Sequence, residues 1–274
     1  MTKDYVLAPS SETFAPEAAT LTSKRRRPLW VWVGWSVLAV VVVVAIIVTV
    51  VVVVNVNKPV LPGLVVHPAG IGDERLIVIK KDGLTHSPVK FIEENKLENI
   101  PANVIDCDDD TFPSSDQVCR FSHLWLGDDC SEASGWGYRT GRPCIHLSVT
   151  KVLNWIPEVY QSLEELPEDM PQDMKDQIEQ IIMINIKMPK MLWVSCEGLN
   201  PADRENLGPL KYSPWTGFPL QYFPYKDYLA YMSPIVAVQL LKPKRGVAIG
   251  MECRMWAKNI DPKTSAITIN LMLE

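Results

Sequence analysis

The sequence runs to 274 residues, 47% of them hydrophobic, with 27 Lys and Arg against 32 Asp and Glu and a formal net charge of −5. That balance argues against a nucleic-acid-binding protein, which needs a basic face. Setting aside one long apolar segment near the amino end leaves about 220 residues, enough for one well-packed domain and hardly two.

Residues 1–28 mix Ser, Thr, Ala and Pro with few periodic apolar positions and read as a cytosolic tail without regular structure. Leu29 to Val54 then carries no charge at all. At about 1.5 Å rise per residue, a helix of that length spans roughly 39 Å, more than the roughly 30 Å of a bilayer's hydrocarbon core. Valine dominates its second half and is a mediocre helix former in water, but in lipid every backbone group must be bonded within its own segment, which enforces the helix. The run is also far longer than the apolar core of a cleaved signal peptide. Lys24, Arg25, Arg26 and Arg27 precede it and only Asn55, Asn57 and Lys58 follow, so the positive-inside rule leaves the amino terminus in the cytosol. The expectation is a single-pass type II anchor in the lipid bilayer, with Trp30 and Trp32 in the interfacial belt and Trp35 about one turn deeper.

Residues 55–75, with Pro59, Pro62 and Pro68, read as an extended stalk. Residues 76–274 form the predicted ectodomain, opening on a strand at Leu76–Ile79. Met174, Ile178, Ile181 and Ile182 keep helical spacing and predict a short amphipathic helix over Asp173–Lys187. Strands follow at Val236, Val238 and Leu240, at Val247, Ile249, Met251, Cys253 and Met255, and at Ile267, Ile269, Leu271 and Leu273, each alternating between two faces. Such strands joined by Pro- and Gly-rich connections describe a mainly-β, antiparallel sandwich.

All six cysteines, Cys107, Cys119, Cys130, Cys144, Cys196 and Cys253, lie beyond the anchor. An even count on the oxidising side of a membrane predicts three disulfides, with fifteen pairings open to the sequence alone. The sequence contains no Asn-x-Ser/Thr glycan acceptor.

Catalytic signatures are sparse. His67, His86, His123 and His146 stand apart without zinc-ligand spacing, no Gly-x-Ser-x-Gly places a nucleophile, and Gly135, Gly137 and Gly141 miss any phosphate-binding spacing. Asp108, Asp109 and Asp110 contain the Asp-x-Asp arrangement by which type II Golgi glycosyltransferases hold a metal and a sugar nucleotide. No buried strand precedes the triplet and no βαβ alternation follows it, so a solvated loop is the better reading. No catalytic residue, metal ligand or cofactor is expected.

The strings CRFSHLWLGDDC (Cys119–Cys130), GYRTGRPC (Gly137–Cys144), WVSCEGLNPADRENLGP (Trp193–Pro209), GFPLQYFPY (Gly217–Tyr225) and ECRMWAKNI (Glu252–Ile260) resemble, in order and spacing, the β-subunit of the Na,K-ATPase and H,K-ATPase. The chain looks like a divergent, invertebrate-like member. The resemblance implies disulfides in sequence order, Cys107 with Cys119, Cys130 with Cys144 and Cys196 with Cys253, and an immunoglobulin-like ectodomain. It further implies a non-catalytic subunit that pairs one to one with a P-type ATPase α-subunit. In that role it supports the α-subunit's folding, export and stability at the plasma membrane and modulates its potassium affinity.

Phe218, Tyr222, Phe223 and Tyr225, interleaved with Pro219 and Pro224, supply a rigid aromatic surface of the kind found at interface hot spots. By resemblance they lie against an extracellular loop of the α-subunit. Trp30, Trp32 and Trp35 replace the Tyr and Phe cluster through which family anchors pack on α-subunit helices. The competing reading is pump-independent adhesion or junction work, motivated by the altered anchor and the missing glycan acceptors.

Overall fold

The computed structural model describes residues 29–56, 61–69, 76–80, 83–84, 101–228 and 230–274. The expected tail, parts of the stalk and His86 lie outside them. Two compact units result, one ending at Pro59 and the other running from Val60 to Glu274.

In the first unit, helix α1 (Leu29–Val56) is continuous over 28 residues. Its side chains are described for Trp35 and for residues 37–51, and every one is exposed, so the helix is apolar on all sides and has no polar face for water. Thr49 turns its hydroxyl back on the helix, donating to the carbonyls of Ala45 at 2.9 Å and Ile46 at 2.8 Å. Among the fully described residues taken alone, no helix is long and apolar enough to cross a membrane.

The second unit is mainly β. Its strands are β1 (Leu64–His67), β2 (Leu76–Lys80), β3 (Gly83–Leu84), β4 (Val104–Ile105), β5 (Val118–Cys119) and β6 (Cys144–Val149). After them come β7 (Met191–Gly198), β8 (Leu210–Ser213), β9 (Gly217–Pro219), β10 (Val236–Leu240), β11 (Ala248–Trp256) and β12 (Ile267–Leu273). One sheet has the order β1-β6-β10-β8, the other β3-β2-β12-β11-β7-β9, and β4 pairs with β5. Ile145, Leu147, Val236 and Val238 of the first sheet share a core with Leu192, Val194, Ile249, Met251, Met255, Ile269 and Leu271 of the second, as a sandwich requires.

The expected strands are present, and so is their alternation: on β11 the core takes Ile249, Met251, Cys253 and Met255, while Glu252 and Arg254 are half-buried on the reverse. Two details differ from expectation. The sheets are not purely antiparallel, because β2 runs parallel to β12 and β4 parallel to β5. The proline-rich stretch taken as stalk also contributes β1, which pairs with β6 from Leu64 opposite Val149 to His67 opposite His146.

The predicted amphipathic helix is α2 (Gln172–Asn185), which ends where Ile186 adopts a left-handed conformation, φ 66°. It buries Met174 and Ile178 on the outer face of the larger sheet, closing a second apolar cluster with Tyr160, Met191, Trp193 and Trp256. The Trp256 indole N–H, taken out of water there, donates to the Ser195 hydroxyl at 2.7 Å. Helix α3 (Pro201–Leu207) starts as helix chemistry prescribes: Asn200 caps it by accepting the Asp203 N–H at 2.9 Å, and Pro201 fills the first turn. It lies so close to β7 that a Cβ on Gly198 would stand 2.3 Å from the Arg204 nitrogen.

Candidate functional site

The aromatic segment from Gly217 onward begins as an edge strand and ends as surface. A Cβ on Gly217 would meet the Leu192 carbonyl oxygen at 2.4 Å, so glycine is what lets β9 close on β7. Phe218, opposite Leu192, is fully buried. A single 3-10 turn (Leu220–Tyr222) then breaks the strand's alternation. Tyr222 stays in the core and its hydroxyl donates to the Arg120 carbonyl at 2.8 Å. Burial pushes its pKa well above the ordinary tyrosine value, so it acts only as a neutral donor.

Past the turn the chain comes to the surface. Half-buried Phe223 meets the Trp155 ring edge-on, centroids 5.7 Å apart, and half-buried Tyr225 meets Tyr231 at 4.9 Å. The Tyr225 hydroxyl donates to Asp227 at 2.9 Å, which raises its pKa, and the Lys151 ammonium lies 5.7 Å from its ring centre. Its carbonyl accepts the Asn154 N–H at 3.1 Å, tying it to a loop that carries Leu153, 59% exposed. The following residues reach to the loop enclosed by the first disulfide, where Lys226 donates to the Ser115 carbonyl at 2.9 Å and so does the Tyr228 hydroxyl at 2.9 Å. Tyr228 and Phe112 are 42% and 40% exposed. Leu153, Tyr225, Tyr228 and Phe112 thus form an apolar and aromatic face, held by backbone hydrogen bonds and flanked by Lys151 and Lys226. A shallow cavity of about 70 Å³ opens between Phe112, Phe223, Pro224 and Tyr231.

Among the contact residues read from sequence, Phe223 and Tyr225 lie at this face, whereas Phe218 and Tyr222 face inward in the isolated chain. Trp35 is 65% exposed on α1. The side chains of Trp30 and Trp32 lie outside the described residues. Leu153, Phe112 and Tyr228 escaped sequence reading because they sit singly in loops without period. A signal was nonetheless present in Tyr225, Tyr228 and Tyr231, which recur every third residue past the recognised string.

The cysteines pair as Cys107–Cys119, Cys130–Cys144 and Cys196–Cys253, leaving none free among the described residues. The third links neighbouring strands of one sheet rather than the two sheets. Asp108 spends its carboxylate on the N–H groups of Asp110, at 3.0 Å, and Thr111, at 2.7 Å, which hold its pKa below the usual range. Asp110 pairs with Lys187 at 2.9 Å. That is a self-capped surface loop, and among the described residues no three His, Cys, Asp or Glu converge as metal ligands. His146 is fully buried on the outer face of the smaller sheet, with the Trp136 ring edge-on at 5.2 Å.

Comparison with known proteins agrees with the string resemblance. The family described as "Sodium / potassium ATPase beta chain" matches residues 33–270. The chain is 40% identical over 158 residues to the Drosophila melanogaster sodium/potassium-transporting ATPase subunit beta-2, covering 58% of this chain and 49% of that protein. It is 38% identical over 151 residues to the fly subunit beta-1, covering 53% and 47%, and 30% identical over 151 residues to the human subunit beta-2, covering 53% and 42%. The matched stretch thus spans about half the length of these relatives, or somewhat less.

Proposed function

The chain belongs to the sodium/potassium ATPase beta-chain family, and from that premise we propose that it is the non-catalytic β-subunit of a P-type Na+/K+-transporting ATPase. It assembles one to one with the catalytic α-subunit, supports that subunit's folding, export and stability, and tunes its potassium affinity. The observation that carries the reading is the family match over most of the chain, coupled to an aromatic face assembled on a disulfide-bonded sandwich. Exposed Leu153, Phe112 and Tyr228 around Tyr225 have the composition of a protein-binding hot spot, with anchors that lose little entropy on docking.

The membrane role rests on α1. A 28-residue helix without a charge and without a polar side has no stable partner in water, whereas a bilayer satisfies its whole circumference. With the four basic residues before it held inside, residues 60–274 face outward, in the compartment where disulfides persist. Asp108 and its neighbours, engaged with their own backbone and with Lys187, lend nothing to the glycosyltransferase reading.

Purification of the tagged chain in mild detergent, with mass-spectrometric identification of its companions, tests the proposal. A stoichiometric P-type ATPase α-subunit is the expected result. Recovery of the chain alone or with junction proteins overturns the pump reading in favour of adhesion.

A further inference from the structure

The charge of this protein is unevenly spread. Against a net charge of −5, one end of the sandwich gathers six cations: Lys80, Arg139, Arg142, Lys242, Lys244 and Arg245, all exposed. The structure brings them together through backbone contacts. The loop between β10 and β11 carries Lys242, Lys244 and Arg245, and just before it the N–H of Leu240, the last residue of β10, donates to the Pro143 carbonyl at 3.0 Å, setting the loop beside the turn that carries Arg139 and Arg142. Gly141 in that turn has φ 69°, and a Cβ there would stand 2.1 Å from an Arg245 guanidinium nitrogen. Glycine therefore allows the Arg245 side chain to lie across the turn. Lys80, Arg139 and Arg245 then line one small cleft, with Glu274 beside them.

None of the six forms an ion pair among the described residues, where the ion pairs are made by Arg120, Lys187, Lys211, Arg254 and Lys258. The bordering acids are Glu205 of α3, next to the Asn206 carbonyl that receives the Lys244 N–H, and Glu274, whose carbonyl accepts from Arg245 at 3.1 Å. Six like charges held together with only Glu205 and Glu274 beside them leave a net positive end that is costly for the domain by itself, and a polyanion relieves that cost by releasing its condensed counterions.

We propose that this end of the domain is a docking surface for a sulfated polysaccharide. A lipid surface fits less well, because none of the exposed large apolar side chains falls in residues 137–142 or 241–247, so nothing is placed to enter the acyl region. On the outward side, which the inference takes from the proposed topology, anionic lipid is also scarce. Guanidinium forks suit sulfate oxygens bidentately, and three of the six cations are arginines.

The test is retention of the full chain, in detergent micelles, on immobilised heparin across a salt gradient. The expected result is elution well above about 0.15 M salt, the physiological ionic strength. The variant K242Q/K244Q/R245Q should elute earlier, with the slope of log affinity against log salt reduced by about 2 for three lost contacts. The control K151Q/K190Q/K226Q, which removes three cations elsewhere, should elute like the parent. If the first variant fails to fold, R139Q/R142Q gives the same readout from the other loop. Elution of the parent below physiological salt overturns the proposal, as does equal weakening by the control. Equal or tighter retention on phosphatidylserine-coated beads, lost in the same variant, would reassign the surface to lipid. An α-subunit absent from the co-purification would sink the pump reading and leave heparin retention untouched, so the two failures are separable.

Discussion

Cys253 of β11 lies directly opposite Cys196 of β7, their Cα atoms 4.0 Å apart, so a bond spanning 57 residues of sequence joins two strands that are already neighbours in the ladder. In the loop-entropy account, closing that length contributes about 4 kcal/mol, mostly by restricting the unfolded chain. Cys253→Ser should therefore lower the thermal midpoint of the domain by about 10 °C while leaving the β-sheet circular dichroism in place. An unchanged midpoint would contradict it.

Acid should weaken the domain before its carboxylates are neutralised. Burial holds both His67 and His146 at a pKa of about 4, and for His146 the neighbouring His67 adds to the effect. An unfolded histidine takes its proton near pH 6.5, so between 6.5 and about 4 the unfolded chain binds more protons and stability falls as pH falls. His146 alone accounts for about 2 kcal/mol between pH 7.5 and pH 5. Urea unfolding at those two values checks this, and His146→Gln should reduce the difference. Equal stability at both pH values in the parent would remove the explanation.

The hydrogen bond from the Trp256 indole to Ser195 is enclosed by α2 and the sheet. Ser195→Ala keeps the volume nearly constant but leaves a buried donor without its acceptor, at a cost of about 1–3 kcal/mol. Denaturant titration measures it, and Ser195→Thr, which restores a hydroxyl, should recover part of the loss.

Packing at Gly198 makes a sharper demand. Any Cβ there meets the backbone of Asp203 and Arg204 rather than a movable side chain. Gly198→Ala should push α3 off β7 at about 1–3 kcal/mol, visible as faster amide exchange in 201–207 than elsewhere. Uniform exchange rates would count against it.

The aromatic segment separates folding from recognition. Phe218→Ala empties a fully buried site and should cost about 3–5 kcal/mol. Tyr228→Ala and Tyr225→Ala, at the surface, should shift stability by less than about 1 kcal/mol while reducing α-subunit recovery at least about tenfold. Full recovery with both tyrosines replaced would remove this face from the interface.

What could be read in advance follows from which surfaces are buried. On β11 and β12 one face is buried more deeply than the other, so Ile249, Met251 and Cys253, and Ile267, Ile269 and Leu271, announce themselves by alternation. On β7, Leu192 and Trp193 are both fully buried, one in each apolar cluster, and no alternation survives to mark the strand. Strands β4 and β5, two residues each, exist only by pairing with each other beside the Cys107–Cys119 disulfide and are too short to show a period. The parallel pairing of β2 with β12 is a choice of neighbour that neither strand encodes locally. Disulfide pairing needed the resemblance, since spacing left fifteen options. In the aromatic segment the string was legible but its sorting was not. Three residues of β9 followed by a 3-10 turn leave no run of alternation long enough to announce that Phe218 and Tyr222 go inward and Tyr225 to the surface.

The position of β12 between β2 and β11 also bears on biogenesis. Leu76 and Asn270 are paired, so β2, which otherwise has only the two-residue β3 beside it, acquires its long neighbour only after Ile267–Leu273 has left the ribosome. Until then the hydrogen-bonding edges of β2 and β11 that will receive β12 stay open, a state prone to wrong association. Synthesis from the amino end thus sets a waiting time during which chaperones must cover the open edges of an incomplete sheet. Stop codons placed just before Ile267 should leave the product bound to those chaperones, although residues 60–266 of the 60–274 unit have by then been made, including all six of its cysteines.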